Sequence, residues 1–392
     1  MLRIAVIFES SPFDRKGLFN AVHNRIRHLL ATGTCEIDAY CIHSRDNAFT
    51  RRVRHTPEVP FVDETIVDDI RYRILWYDFS IIDHILVNKL HRSPLLFARF
   101  IRRCKGLFKG YDCIAAHSFT GGVIASAVSE SSGIPYFVTW HGSDVHTHPW
   151  RNPLILDRTR SVMQGAECNF FVSSALKNEA ERIAPDASKE ILYNGVSPEF
   201  RLLPTEERKA LRKKYGAADD EKVVAFAGSL VAVKNVHSLQ PLFSAVRARY
   251  EGKLKFWIIG DGKLRSSVEK AVLAAKDIDV RFWGNVSAGD MPSMMNCIDL
   301  LVLPSINEGL PLVCAEALRC GSPVIGSDVG GIPEVIGQEN TVPFGDDYIG
   351  LMADRAVALL NEPPVLTVPS ELDWTSTAAK ELRLMMKTLQ SE

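Results

Sequence analysis

The stretch PSINEGLPLVCAEALRCGSPVIGSDVGGIPE, residues 304–334, decides how this chain is read. The apolar run DLLVL leads into it and the run PVIGS lies inside it, so two short strands flank one helical pattern. Strand, helix and strand in that order make a right-handed crossover between parallel strands. In such sheets ligands bind beyond the carboxyl ends of the strands, which places Glu308, Gly309 and Leu310 in a ligand loop. Pro311 is expected in the first turn of the following helix, where its missing N–H costs nothing. Glu316 stands eight positions after Glu308, a separation of about 10–12 Å along a helix. The helix N-terminus between them offers free N–H groups and the positive end of a dipole. A diphosphate fits there, with a carboxylate at each end to accept hydroxyls. That is the shape of a nucleotide sugar.

The same alternation runs outward in both directions. KVVAFAG, KLKFWIIG and IDVRFW read as buried strands of the second half, with helices near 236–250, 263–276, 290–297, 310–320 and 349–361. LRIAVIF, EIDAYCI, DCIAAH, PYFVTW and CNFFVS read as strands of the first half, with helices near 17–32, 85–107, 120–132, 153–165 and 175–184. Turn signals at Asn194-Gly195 and Ser197-Pro198 precede a helix start after Pro204. The expected fold is α/β: two Rossmann-like domains, residues 1–199 and 200–372, facing across a ligand cleft. An amphipathic helix is expected over about 375–390.

Composition narrows the function. Lys plus Arg number 46 and Asp plus Glu 47, a net charge of -1, which argues against a general nucleic-acid binder. The eight cysteines include no C-x-x-C pair and several sit in apolar runs, so reduced thiols and a cytoplasmic setting are expected. The apolar stretch at the N-terminus ends at Glu9, too short for a secretory signal, and no run reaches the roughly 20 residues of a membrane span. Residues 90–109 carry six Lys or Arg and no acid, interleaved with Leu and Phe. This basic stretch is a candidate for peripheral contact with the inner face of an anionic membrane.

The 304–334 stretch resembles the E-x7-E signature of the GT-B retaining glycosyltransferases of family 4. The similarity extends through FAGSLVAVKN, WIIGDGKLR, FWGNV and MPSMMNCIDLLVLPS, and to DCIAAHSFTGG and TWHGSD in the first half. It implies a nucleotide-diphosphate-sugar donor held mainly by the second domain and a glycan or lipid-linked acceptor held mainly by the first. It also implies retained anomeric configuration, a role in surface polysaccharide or glycolipid synthesis, no metal or other cofactor, and a terminal helix (373–392) crossing back onto the first domain.

By position, the resemblance assigns Glu308 to the donor sugar, Glu316 to the ribose, and His141 to the donor sugar near the reacting carbon. Lys234, near a helix start, neutralises a phosphate oxygen as a point charge. Ser229 stands where family members commonly carry Arg and donates a single neutral hydrogen bond in its place. Gly260, Asn285 and Val286 end strands and let backbone approach the base. Lys16 and Gly17, in a loop where the family often has paired glycines, together with His117 and Asp144, fall on the acceptor or phosphate side. His141, His146 and His148 lack the further ligand or the helical i, i+4 spacing of a metal site. A nucleotide-sugar epimerase and a non-catalytic nucleotide-sugar-binding protein are the alternatives, separated from a transferase by donor turnover with and without acceptor.

Overall fold

A computed structural model describes residues 1–13, 17–45, 59–78, 80–92 and 94–390. The chain forms two compact units, Met1–Asn194 with Trp374–Glu392, and Gly195–Asp373. The boundary falls at 194 rather than 199. Val196 is pinned to the second unit: its N–H donates to the Leu372 carbonyl at 3.0 Å, and its carbonyl accepts from Arg319 at 3.1 Å.

The first unit is built on an eight-stranded sheet. Its strands are β1 (Leu2–Phe8), β2 (Cys35–Arg45), β3 (Glu64–Val67), β4 (Ile70–Asp78), β5 (Cys113–His117), β6 (Tyr136–Trp140), β7 (Cys168–Phe171) and β8 (Lys189–Ile191). The order is β3-β4-β2-β1-β5-β6-β7-β8, parallel except for β3, which pairs antiparallel with β4. Ile4 to Phe8 are all buried, as a central strand covered on both faces requires. The β3–β4 hairpin was not expected. Its turn residues Asp68 and Asp69 both adopt positive φ, 46° and 66°, the conformation of tight hairpin turns. In the first half of β4 the alternate residues Ile70, Tyr72 and Ile74 are buried, a period-2 pattern masked by Arg71 and Arg73 between them.

The expected helix over 85–107 is two helices, Ile81–Asn88 and Leu95–Cys104. One buried carboxylate organises both starts. Asp83 completes a capping box with Ser80, and its Oδ1 accepts the Leu95 N–H at 2.6 Å. Pro94 precedes the second helix, and a proline disfavours helical backbone before it. Phe97, Phe100 and Phe108 are buried, so these aromatics of the basic stretch belong to the core rather than to an exposed apolar face.

The helix Trp374–Leu389 belongs to the first unit. Ala378, Leu382 and Met385 join the cluster formed by Phe19, Val22 and Ile26 of the helix Gly17–Ala31. Beside this seam lies a buried ion pair, Arg25 to Glu381 at 3.6 Å, with Arg25 also donating to Thr139 and Asn194 at 3.0 Å each. Burial lowers the Arg25 pKa and raises that of Glu381. Glu381→Ala leaves the guanidinium without its countercharge in a dry site, so the first unit's melting temperature should fall by roughly 5–10 °C. Calorimetry checks this, and an unchanged melting temperature contradicts it.

The second unit carries a six-stranded parallel sheet in the order β11-β10-β9-β12-β13-β14. These strands are β9 (Glu221–Ala227), β10 (Lys253–Ile259), β11 (Val280–Gly284), β12 (Leu300–Leu303), β13 (Val324–Ser327) and β14 (Thr341–Val342). In each sheet the strand order reverses once, between β1 and β5 and between β9 and β12. Neighbouring loops diverge there and leave a crevice at the carboxyl ends. All eight cysteines are buried and free. Among the described residues no helix is long and apolar enough to cross a membrane.

Candidate active site

The β9/β12 switch point of the second unit brings together the residues singled out in the sequence. After β9 the chain runs from Gly228 through Ser229 to a short turn, Ala232–Lys234, and Asn235 at φ 51°. After β12 it runs through Ser305 and Glu308 to the helix Leu312–Arg319. The Ile306 N–H donates to the Val233 carbonyl at 2.8 Å and ties the loops together. Across that tie the Lys234 ammonium donates to Glu308 Oε1 at 2.5 Å, and the Ser305 hydroxyl donates to the same oxygen at 2.7 Å. The Glu308 side chain is 9% exposed and that of Lys234 23%, so a cation and an anion sit half-enclosed and within reach of a ligand.

Two glycines make this packing possible. A Cβ on Gly330, at φ 53°, would lie 2.0 Å from the Glu308 carbonyl oxygen, so the Gly330-Gly331 loop lies directly on the Glu308 backbone. A Cβ on Gly260, at φ 123°, would lie 2.0 Å from the Gly228 carbonyl oxygen. Gly260 in turn donates its N–H to the Gly284 carbonyl at 2.7 Å, which brings the loops after β9, β10 and β11 side by side. Asn285 is exposed and Val286 half-buried just beyond them.

Ser229 is exposed, Gly309 buried and Leu310 half-buried. Pro311 is not in the first turn of the helix but caps it, with φ -79° and no side-chain hydrogen bond from the cap. The φ of proline suits an extended cap as well as a first turn, and this cap leaves the first N–H groups without a side-chain acceptor. Glu316 lies on this helix, crowded by protein but with one edge open, and desolvation pushes its carboxyl up to about 7.

The β1/β5 switch point of the first unit gathers a second group. His117 Nδ1 and His141 Nε2 lie 3.1 Å apart, one nitrogen donating to the other. Burial lowers both pKa values, that of His141 to about 3, and the nearby Arg25 charge lowers them further. At neutral pH these rings exchange hydrogen bonds as neutral groups. Asp144 is buried and accepts the His141 and Gly142 N–H groups, at 3.2 and 2.8 Å, so it fixes the turn that carries His141. Desolvation raises its carboxyl. Gly17 is the exposed first residue of the helix Gly17–Ala31. Lys16, like Arg15, lies outside the described residues. His146 pairs with the Thr147 hydroxyl at 2.7 Å, and among the described residues no three His, Cys, Asp or Glu side chains gather as metal ligands.

The sequence reading missed Glu9. Its Oε1 accepts the Tyr77 hydroxyl at 3.0 Å and its Oε2 the Thr120 hydroxyl at 2.5 Å. With His141, Ser118 and Thr120 it lines a cavity of about 290 Å³. The signal was available: Glu9 follows β1 immediately, one step beyond the position that His117 holds at the end of β5. Ser305 was missed as well, because a serine after a strand carries no distinguishing pattern.

Comparison with known proteins agrees with this architecture. Residues 16–200 match the family model described as Glycosyltransferase Family 4, and residues 207–367 match Glycosyl transferases group 1. The chain is 29% identical over 233 residues to a Bacillus subtilis protein named putative teichuronic acid biosynthesis glycosyltransferase TuaC, covering 58% of this chain and 56% of that one. It is likewise 29% identical over 233 residues to N-acetyl-alpha-D-glucosaminyl L-malate synthase of Bacillus anthracis, covering 58% of this chain and 59% of the relative. The matched stretches thus span less than two thirds of these relatives' lengths. Among solved structures, sucrose-phosphate synthase from Thermosynechococcus elongatus superposes with a TM-score of 0.76 at 18% identity. Anabaena HepE in complex with UDP and glucose superposes with a TM-score of 0.71 at 16% identity, and both comparisons cover the whole of each chain. A family 4 segment followed by a group 1 segment, on two parallel α/β sheets of the GT-B fold, makes this chain a member of the GT-B family 4 glycosyltransferases.

Proposed function

We propose that the protein transfers a sugar from a nucleotide-diphosphate-sugar donor to a hydroxylated acceptor, with retention at the anomeric carbon. The observation that carries this reading is the Lys234–Glu308 pair at the β9/β12 switch point. A diphosphate arriving there takes over the ammonium, and a sugar hydroxyl takes over the carboxylate. Glu316, farther along the helix Leu312–Arg319, holds the ribose. The solved relative bound to UDP and glucose supports a donor of this kind. As the glycosidic bond breaks, negative charge grows on the diphosphate, and Lys234 with the helix N-terminus stabilises it. Front-face attack by the acceptor oxygen then forms the new bond, and the hydroxyl proton passes to the departing phosphate oxygen. His141, neutral because burial lowers its pKa, acts as a hydrogen-bonding group rather than as a proton donor. No metal is needed in this scheme, since the lysine and the helix dipole supply the positive potential.

Turnover of UDP-, GDP- and ADP-sugars, with and without candidate acceptors and in the presence of a chelator, tests the proposal. Nucleotide release that depends on acceptor and survives chelation is the expected result, with product stereochemistry read from anomeric coupling by NMR. Donor conversion without acceptor favours an epimerase, and dependence on added magnesium or manganese contradicts the metal-free scheme.

We further infer that the acceptor is a glycan or lipid-linked glycan of a surface polysaccharide or glycolipid, reached at an anionic membrane. Ile82, Ile85, Leu90, Leu95 and Leu107 are exposed, next to exposed Arg92, Arg99, Arg102 and Lys109. Apolar side chains flanked by cations match an anionic headgroup layer. The protein should sediment with anionic vesicles at low salt and stay free with neutral ones. Equal recovery with both contradicts the contact.

A further inference from the structure

We propose that the cavity at the β1/β5 switch point is a single-ring subsite for the acceptor, in which Glu9 admits a neutral or amine-bearing polyol ring and rejects an anionic one. This deepens the transferase reading and rests on it.

The cavity lies entirely within the first unit. Its volume of about 290 Å³ sits at the lower end of small-molecule sites, which run from about 300 to 1,000 Å³. That is room for one ring rather than for an extended chain. Its lining sets the Glu9 carboxylate and the Ser118, Thr120 and Ser143 hydroxyls beside the His141 imidazole and the apolar Leu18 and Phe119. Glu9 is held rigidly. Tyr77 and Thr120 each donate a hydroxyl to a different carboxylate oxygen, which fixes both oxygens and leaves each a further lone pair. A carboxylate fixed in this way accepts two ligand donors without paying rotamer entropy at the moment of binding.

The other ionisable groups of the described lining do not offset that charge. His117 and His141 are neutral, for the burial and Arg25 reasons given above. Asp144 is occupied by backbone N–H groups of its own turn. His148 stands at the exposed rim. A ring hydroxyl or ammonium therefore meets an acceptor carboxylate. A ring carboxylate or phosphate meets like charge and forfeits its hydration with no cation among the described lining residues to replace it.

Ligand-detected NMR on the full chain tests the assignment, with methyl β-glucoside, methyl β-glucosaminide and glucuronate as probes at tens of millimolar, near pH 6, where the amine is protonated and the glucuronate ionised. The glucosaminide should bind roughly fivefold more tightly than the glucoside, the margin of a charge-assisted over a neutral hydrogen bond. Glucuronate should give no measurable transfer. Glu9→Gln keeps the shape and removes the charge, and should bring the amine and neutral rings to within about twofold of each other. Thr120→Val keeps the charge but frees one carboxylate oxygen, so it should weaken both rings while the amine still binds more tightly than the glucoside. The proposal is overturned if glucuronate binds as well as the glucoside, if none of the three rings binds, or if Glu9→Gln leaves the ranking intact. Nucleotide-sugar turnover is scored separately. Its absence with ring selection intact sinks the transferase reading alone. Its presence without ring selection sinks only the subsite.

Discussion

Glu308→Ala should lower kcat by about a hundredfold while changing the donor KM much less. Glu308 faces the reacting sugar, whose ring flattens and gains positive charge in the transition state, so its contact strengthens as the bond breaks. Lys234→Ala removes the cation opposite the departing diphosphate. A charge-assisted contact of about 1.5–3 kcal/mol corresponds to a ten- to hundredfold loss. The 2.5 Å contact between the two side chains adds a sharper expectation. Each orients the other, so the effects should not add: the double variant should be little worse than the weaker single variant. Steady-state kinetics on the three variants, with melting temperatures as a folding control, measures this. Full additivity means that the two residues act independently, and near-wild-type kinetics in all three places the chemistry elsewhere.

The second large effect is on pH dependence. The Glu316 carboxyl is raised to about 7 by desolvation. Its ionised form is the better acceptor for two ribose hydroxyls, so donor binding draws on the ionised fraction. Below pH 7 that fraction falls tenfold per unit, so the donor KM should rise by about tenfold at pH 6 and about a hundredfold at pH 5. For a carboxyl raised in the folded state the stability contribution has the opposite sense. It is present below the unfolded pKa and is lost as pH climbs through 7, so the ligand-free protein softens in the range where donor binds best. Glu316→Gln should flatten the KM profile between pH 5 and 8 at a modestly raised value. A profile that keeps its slope in this variant assigns the titration to another group.

The sequence made some parts of this architecture readable and hid others, for physical reasons. Central parallel strands such as β1, β9 and β12 are buried on both faces and announce themselves as unbroken apolar runs. Strands β3 and β4 lie at the sheet edge, where alternate residues face water, and the turn between them uses Asp-Asp rather than a glycine. The split of the 85–107 pattern into two helices was foreshadowed by Pro94. The double cap by Asp83 joins residues twelve apart, and helical periodicity alone does not reveal it. In the candidate site, Glu308, Glu316 and Lys234 stood out because the stretches that carry them resemble the family's motifs, in loops and a helix that follow strands. The contact between Lys234 and Glu308 spans 74 residues and emerges only when β9 and β12 pair. Glu9 stayed hidden because its partners, Tyr77 and Thr120, are remote in sequence and Tyr77 lies on the unrecognised strand β4.

Calorimetric titration of UDP, GDP and ADP into the wild-type protein and into Lys234→Ala tests the central claim most directly. The account predicts that at least one of these diphosphates binds the wild type, and that the lysine variant, still folded at the temperature of the titration, binds it at least about tenfold more weakly. Equal affinity in the two proteins, or no binding of any nucleoside diphosphate to the wild type, contradicts a donor site at the β9/β12 switch point.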